Sequence, residues 1–261
     1  MLNAKPILKI VRYSVSDILR NRFVLAYGLF WILLSMSFFN LESDPAKGTA
    51  SLLNILLIAL PLMSIVFSTT YVYNSYEFVE LLLAQPIRRS AILLGQYGGV
   101  ATALCAAFAV GLGIPVLLYD ASVRGLLLFG SGIALTLVFV SLAFLAAVLT
   151  RDKARGIGLA LSMWFFCTIL YDGMVLMAMF AFSDYPLEKA IIASAFLNPV
   201  DLARIALLLH LDSAALMGYT GALFQHFFGS TLGIGLSMVV LVAWAALPLW
   251  GALRIFYRKD L

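Results

Sequence analysis

The chain has 261 residues, 63% of them hydrophobic and 11% charged, with a formal net charge of +4 and a mean hydropathy of +1.03. This balance excludes an ordinary soluble domain and specifies an integral membrane protein, and the modest positive charge gives no reason to propose nucleic-acid binding. The long apolar runs are continuous and do not alternate with a period of two, so a transmembrane β-barrel is excluded as well.

A helix needs roughly 20 apolar residues to cross a hydrocarbon layer about 30 Å thick. Six runs meet that length: residues 23–39, 52–73, 92–118, 126–149, 157–182 and 234–253. The expected fold is therefore an all-α membrane domain of six transmembrane helices occupying the whole chain.

Ahead of the first run, residues 1–22 place Ile7, Val11, Val15 and Ile18 on one helical stripe and Lys5, Lys9, Arg12 and Ser16 on another. That pattern predicts an amphipathic entry helix on the inner membrane surface, turning into the first span at Asn21 and Arg22, with a disordered basic tail as the alternative. The basic segment and the length of the first run do not read as a cleavable signal peptide. Residues 41–50, with Glu42, Asp44, Pro45, Lys47 and Gly48, form a short outer turn.

Residues 74–97 are a charged, helix-like island between the second and third runs. Residues 48–76 on one side hold no ionisable acid or base other than tyrosine, and residues 90–119 on the other are again uncharged. Read as a helix, the island puts Glu77 and Glu80 on one face, while Phe78, Leu81, Leu82 and Leu83 supply an apolar surface. Pro86 stops the helix, and Arg88 and Arg89 mark entry into the next span. In that span Gly111, Gly113 and Pro115 predict a kink near the outer end. Gly95 with Gly99, and Gly229 with Gly233, allow close helix approach within the chain. Arg151, Asp152, Lys153, Ala154 and Arg155 make a second, shorter island that either anchors two spans at anionic headgroups or contacts a partner.

Orientation follows from the cations. With the N-terminus inside, the inner side holds Lys5, Lys9, Arg12, Arg20, Arg22, Arg88, Arg89, Arg151, Lys153, Arg155, Arg254, Arg258 and Lys259; the outer side holds Lys47, Arg124, Lys189 and Arg204. The positive-inside rule then predicts both termini and both islands in the cytoplasm.

Residues 183–233 are the longest stretch outside the runs. Asn198-Pro199-Val200-Asp201 reads as a helix start, with Asn198 as cap and Pro199 in the first turn. Residues 202–211 and 214–228 are apolar. Short helices that lie at, or dip into, the outer surface are the expectation, with two further spans as the alternative.

The chain carries no G-x-x-x-x-G-K-[ST] phosphate loop, H-E-x-x-H metal pattern or G-x-S-x-G elbow. Any ATP dependence therefore belongs to another subunit. Asp172 is the one ionisable acid within a run, and it must face protein or water; it either lines a vestibule or gate or is a hydrogen-bonded packing residue near the outer headgroups. Met174 and Met177 share a face just beyond it and Met179 points elsewhere, so gap-filling and a soft-metal path are both open readings. Cys105 and Cys167 read as packing residues, and His210 and His226 as interfacial ones, with no metal site assigned.

The string Glu80-Leu81-Leu82-Leu83-Ala84-Gln85-Pro86-Ile87-Arg88-Arg89 resembles the E-x-L-L-x-x-P-x-x-R coupling segment of ABC-2 type transporter permeases. In place of the family's Gly-Thr turn this chain has Tyr76-Glu77-Phe78. The resemblance implies a permease of the type V exporter-like architecture, with a coupling helix at residues 74–91 and an outer helical segment at residues 183–233. It further implies a non-enzymatic subunit, a second copy of this chain, and an ATPase partner that inserts against Glu77, Phe78, Glu80, Leu81, Leu82, Gln85, Pro86, Arg88 and Arg89. Arg151, Lys153 and Arg155 form a secondary contact, and ATP and magnesium reside on the ATPase. Within the family, residues 76–86, 198–201 and 219–224 are most similar to membrane subunits that support maturation of the copper sites of nitrous-oxide reductase. That implies a periplasmic partner held by the outer segment around Asn198, Pro199, Asp201 and Arg204. A secondary transporter or channel driven by ion gradients, with Asp172 titrating, is the rival reading.

Overall fold

The computed structural model describes residues 4–42, 44–182, 188–208 and 231–258, and every regular element among them is helical. The elements are α1 (Ala4–Leu19), α2 (Arg22–Leu41), α3 (Pro45–Asn74), α4 (Tyr76–Leu83), α5 (Arg89–Phe108), α6 (Ile114–Tyr119), α7 (Val123–Leu149), α8 (Lys153–Phe165), α9 (Tyr171–Ala181), α10 (Glu188–Phe196), α11 (Pro199–Leu208) and α12 (Thr231–Arg258). Six stretches are long and apolar enough to cross a membrane: Arg22–Leu41, Pro45–Asn74, Arg89–Tyr119, Val123–Leu149, Lys153–Ala181 and Gly235–Arg258. They coincide with the six apolar runs and extend past most of their ends, and in the first two spans a side-chain cap sets the start. Asn21 Oδ1 accepts from the Phe23 amide at 2.9 Å, and Asp44 Oδ1 accepts from the Ala46 amide at 3.0 Å with Pro45 in the first turn.

The fourth span, α7, is the axis of the bundle; α3 and α12 pack along it, and most of its side chains are buried. The fifth and sixth spans are buried along a narrow strip only.

The entry helix buries a stripe shifted from the expected one. Helix α1 packs along the first turns of α5, and its buried stripe is centred on Ile10, Ser14 and Ile18, with Ile7, Val11 and Val15 flanking it. The glycines of α5 explain the shift. A Cβ at Gly95 would lie 2.7 Å from Ile10 Cβ, and one at Gly99 would run into Ser14. This close approach within the chain is what the Gly95/Gly99 spacing predicts; Gly229, of the other pair, lies outside the described residues.

The kink expected at Pro115 takes the form of a widened π turn, Ala109–Gly113, in which the Ile114 amide reaches back to the Ala109 carbonyl. Pro115 has no N–H to give the Gly111 carbonyl; Ser35 Oγ of α2, whose one proton is shared with the Trp31 carbonyl at 2.6 Å, makes the longer contact to it at 3.1 Å. A second π turn, Phe166–Leu170, interrupts the fifth span with no proline to announce it. There the Tyr171 amide bonds to the Phe166 carbonyl and passes over Cys167, whose carbonyl accepts from Asn198 Nδ2 at 2.7 Å.

That bond fixes the outer segment. Helices α10 and α11 are described over 9 and 10 residues, about 15 Å each at ~1.5 Å per residue. Their connecting turn reaches the level of Cys167, about 20 Å along the span from Lys153 on the same rise. The pair therefore dips among the spans: Val200, Leu202, Ala203 and Leu207 are almost wholly buried, Tyr171 Oη donates to the Ser194 carbonyl at 2.6 Å, and Trp244 Nε1 donates to that of Phe196 at 3.1 Å. The apolar segment 214–228, His210 and His226 lie outside the described residues.

Candidate functional site: a braced helix and a charge cluster

Helix α4 follows α3 with only Ser75 between them. Ser75 Oγ donates to the Tyr71 and Val72 carbonyls at 2.9 and 3.1 Å, and it accepts from Nε2 of the buried Gln96 at 3.0 Å. The joint is thus clamped to the third span. Lys153 Nζ donates to Asn74 Oδ1 at 2.8 Å, and the Tyr73 hydroxyl meets Thr150 Oγ1 at 2.5 Å, which ties the joint to the turn between α7 and α8. Gly156 is required there, since a Cβ would collide with the Tyr73 hydroxyl. A third brace comes from α1, where Tyr13 stacks on Phe78 with ring centroids 5.1 Å apart.

These braces sort the residues of the island. Val79 is buried, Leu82, Leu83 and Ile87 turn partly inward against the core, and Phe78 is half-buried under Tyr13. Glu77, Glu80, Leu81, Ala84, Gln85 and Pro86 are exposed, with Leu81 at 69%. The free face is therefore two carboxylates around one unburied leucine, and Leu82 sits behind it. Helix α4 ends at Leu83; the Ala84 amide still bonds to the Glu80 carbonyl, and Pro86 centres a tight turn in which the Ile87 amide donates to the Gln85 carbonyl at 2.7 Å before Arg88 precedes α5. Arg88 is exposed and Arg89 half-buried, and Arg151, Lys153 and Arg155 are exposed nearby along the chain turn that Lys153 fastens to Asn74.

At the other end, Asp172 is not a solitary acid. Arg204 Nη1 donates to Asp172 Oδ2 at 2.6 Å and to Asp201 Oδ1 at 3.0 Å, so one guanidinium of α11 bridges the fifth span to its own helix. Burial raises the Asp201 carboxyl to about 7, and the neighbouring Asp172 adds to the rise while Arg204 opposes it. Asn198 is the cap expected from its sequence, accepting from the Val200 amide at 3.1 Å. Its amide nitrogen serves the π turn at the same time. Pro199 opens α11 and is buried. Met174 and Met177 are exposed at 60% and 75% on the outward side of α9. Among the described residues no group of three or more His, Cys, Asp or Glu is placed to hold a metal, and Cys105 and Cys167 are free thiols.

Sequence reasoning missed Asp120. Its carboxylate accepts from Thr49 Oγ1 at 2.6 Å and from Ser122 Oγ at 2.5 Å, clasping the start of α3 to the end of α6. Burial pushes that carboxyl up, but the two hydroxyls and the charge of Arg124 outweigh it, and the net effect is a lowered pKa. The signal in the sequence was an Asp two residues before a Ser in an outer turn, which is ordinary turn composition. Arg204 was placed in the outer segment, but its partner lies 32 positions away and only the fold brings the two together.

A family model described as ABC-2 family transporter protein matches residues 10–261. The chain is 29% identical over 264 residues to a protein of Pseudomonas aeruginosa named "Probable ABC transporter permease protein NosY", an alignment covering 92% of each chain. It is 28% identical over 275 residues to a protein of the same name from Stutzerimonas stutzeri, covering 96% of this chain and 97% of that one.

Proposed function

This chain belongs to the ABC-2 family transporter proteins, and from that premise we propose that it couples ATP hydrolysis by a separate cytoplasmic ATPase to transport or mechanical signalling across the inner membrane. It is a multi-pass permease subunit; the ATPase site, with its ATP and magnesium, belongs to the partner. The observation that carries the reading is the exposed face of α4, with Glu77, Glu80 and Leu81 presented on a joint braced from three sides. A helix held this way transmits a push at its free face to α3, α5 and α7 without first absorbing it in local bending.

The cation asymmetry supports placing α4 and both termini in the cytoplasm. The likeness to proteins named NosY supports a narrower role in maturing the copper sites of nitrous-oxide reductase. In that role two copies of the chain sit between a NosF-like ATPase and a NosD-like periplasmic subunit, the latter contacting the outer hairpin α10–α11 around Asn198, Pro199, Asp201 and Arg204. The rival in which Asp172 titrates as the group of an ion-driven carrier loses support, since Asp172 is committed to Arg204 at 2.6 Å.

The test is copurification of the ATPase with this chain, followed by ATPase measurements on wild type, E80K and L81D. Retained assembly with loss of the stimulation that the permease gives to hydrolysis is expected. Full stimulation in both variants would remove α4 from its proposed role, and failure to capture any ATPase would remove the wider reading.

A further inference from the structure

The interior between α2, α3 and α7 holds polar atoms that the function above does not use. Tyr27 Oη, Trp31 Nε1, Ser64 Oγ and Ser68 Oγ are buried without a hydrogen-bond partner among the described residues. Tyr27 and Trp31 are one turn apart on α2, and Ser64 and Ser68 one turn apart on α3, so each pair lines one face of its helix. The Tyr27 hydroxyl lies close enough to the Trp31, Ser64 and Thr136 side chains to feel each as a polar neighbour, but none of these contacts has the distance and angle of a full hydrogen bond.

Ordinary helix chemistry does not account for these atoms. Other buried hydroxyls here bond back to their own helix: Ser35 to the Trp31 carbonyl at 2.6 Å, Thr69 to Ile65 at 2.7 Å, and Thr136 to Gly132 at 2.8 Å. Ser64 and Ser68 do not. Trp31 cannot turn its N–H elsewhere, because its ring is held edge-on by both Phe30 and Phe108. An indole N–H only donates, so what meets it must accept, whereas serine and tyrosine hydroxyls can bond the same partner in either sense. Pro61, one turn before Ser64, also leaves the Leu57 carbonyl without its usual helical donor.

We propose that this seam is a hydration site, in which internal water bridges Tyr27, Trp31, Ser64 and Thr136 and continues along α3 to Ser68. Water meets the requirement for three or four polar partners at one point in an otherwise apolar interior. It also has a mechanical consequence: a hydroxyl bonded to water can change partners as the helices move, so α2, α3 and α7 can shift against one another without breaking a direct side-chain bond.

X-ray hydroxyl-radical footprinting of the full chain in lipid nanodiscs tests the site, because radicals form from bound water where it resides. Tyr97 is the reference. It is less deeply buried than Tyr27, and its hydroxyl donates to the Leu137 carbonyl at 3.4 Å. Tyr27 is expected to be modified several-fold faster than Tyr97, and S64A/S68A to lower the Tyr27 rate alone. A Tyr27 rate below that of Tyr97, the order that burial alone dictates, overturns the proposal. Thermal unfolding of Y27F is the second measurement: a lowered midpoint fits loss of a water-bonded hydroxyl, and an unchanged or raised midpoint means the hydroxyl was unsatisfied and the seam dry.

Discussion

Replacing Gly95 by alanine tests how α1 is held, and its effect can be worked from the structure. The new Cβ would sit 2.7 Å from both Cβ and Cγ2 of Ile10. Carbon atoms settle at about 3.5 Å or more, so α1 must retreat by roughly 0.8 Å or Ile10 must leave its rotamer. Ile10 is branched at the very atom that is struck, which leaves the rotamer little freedom. Overpacking of this kind costs about 1–3 kcal/mol. Gly130 of α7 is the control, since a Cβ there meets nothing within 4 Å and any gain in helix propensity is shared by both variants. At about 2–4 °C per kcal/mol for a chain of this size, G95A should unfold several degrees below G130A in a detergent-solubilised thermal scan. The same retreat draws Tyr13 from Phe78, so G95A should also weaken stimulation of the partner ATPase. Equal midpoints for G95A and G130A would refute the close docking of α1 on α5.

Other expectations follow from the outer hairpin and the joint. N198D keeps a cap oxygen for the Val200 amide but sets a carboxylate against the Cys167 carbonyl; a loss of about 1–3 kcal/mol and faster maleimide labelling of Cys167 in a C105A background are expected. Retention of wild-type labelling would show that Asn198 does not hold the hairpin on the span. Because the Asp201 carboxyl is raised in the folded state, its contribution to hairpin docking is fully present below about pH 4, where both states are protonated, and is lost between about pH 4 and about pH 7, where the unfolded chain ionises and the folded one does not; above 7 the loss is complete. Amide exchange of α11 at pH 5.5 and pH 8, corrected for intrinsic rates, reads this directly, and D201N should flatten the difference. G156A, which drives a methyl group into the Tyr73 hydroxyl, should uncouple the ATPase while E80 and L81 remain native, measured by the same stimulation assay.

The six spans, the N-terminal cap Asn198 and the glycine contact of α5 could all be read from the residues, because each depends on composition or on spacing within a few positions. So could the charged island and its acidic face at Glu77 and Glu80. The division of that island was not legible: Leu81 and Leu82 are chemically alike, and only packing against α1 and α5 turns one out and the other in. The register of α1 was likewise decided by its neighbour, since Ser14 is polar by type and buried only because Gly99 makes room for it. Asp172 shows the limit most clearly. Read along the chain it is one acid in an apolar run, a candidate for titration. The widened turn beneath it and the return of α11 bring Arg204 to 2.6 Å, and the acid becomes one end of a bridge. Local spacing specifies helices and their ends, whereas pairing across 32 residues depends on where an irregular turn and a short hairpin place two side chains in space.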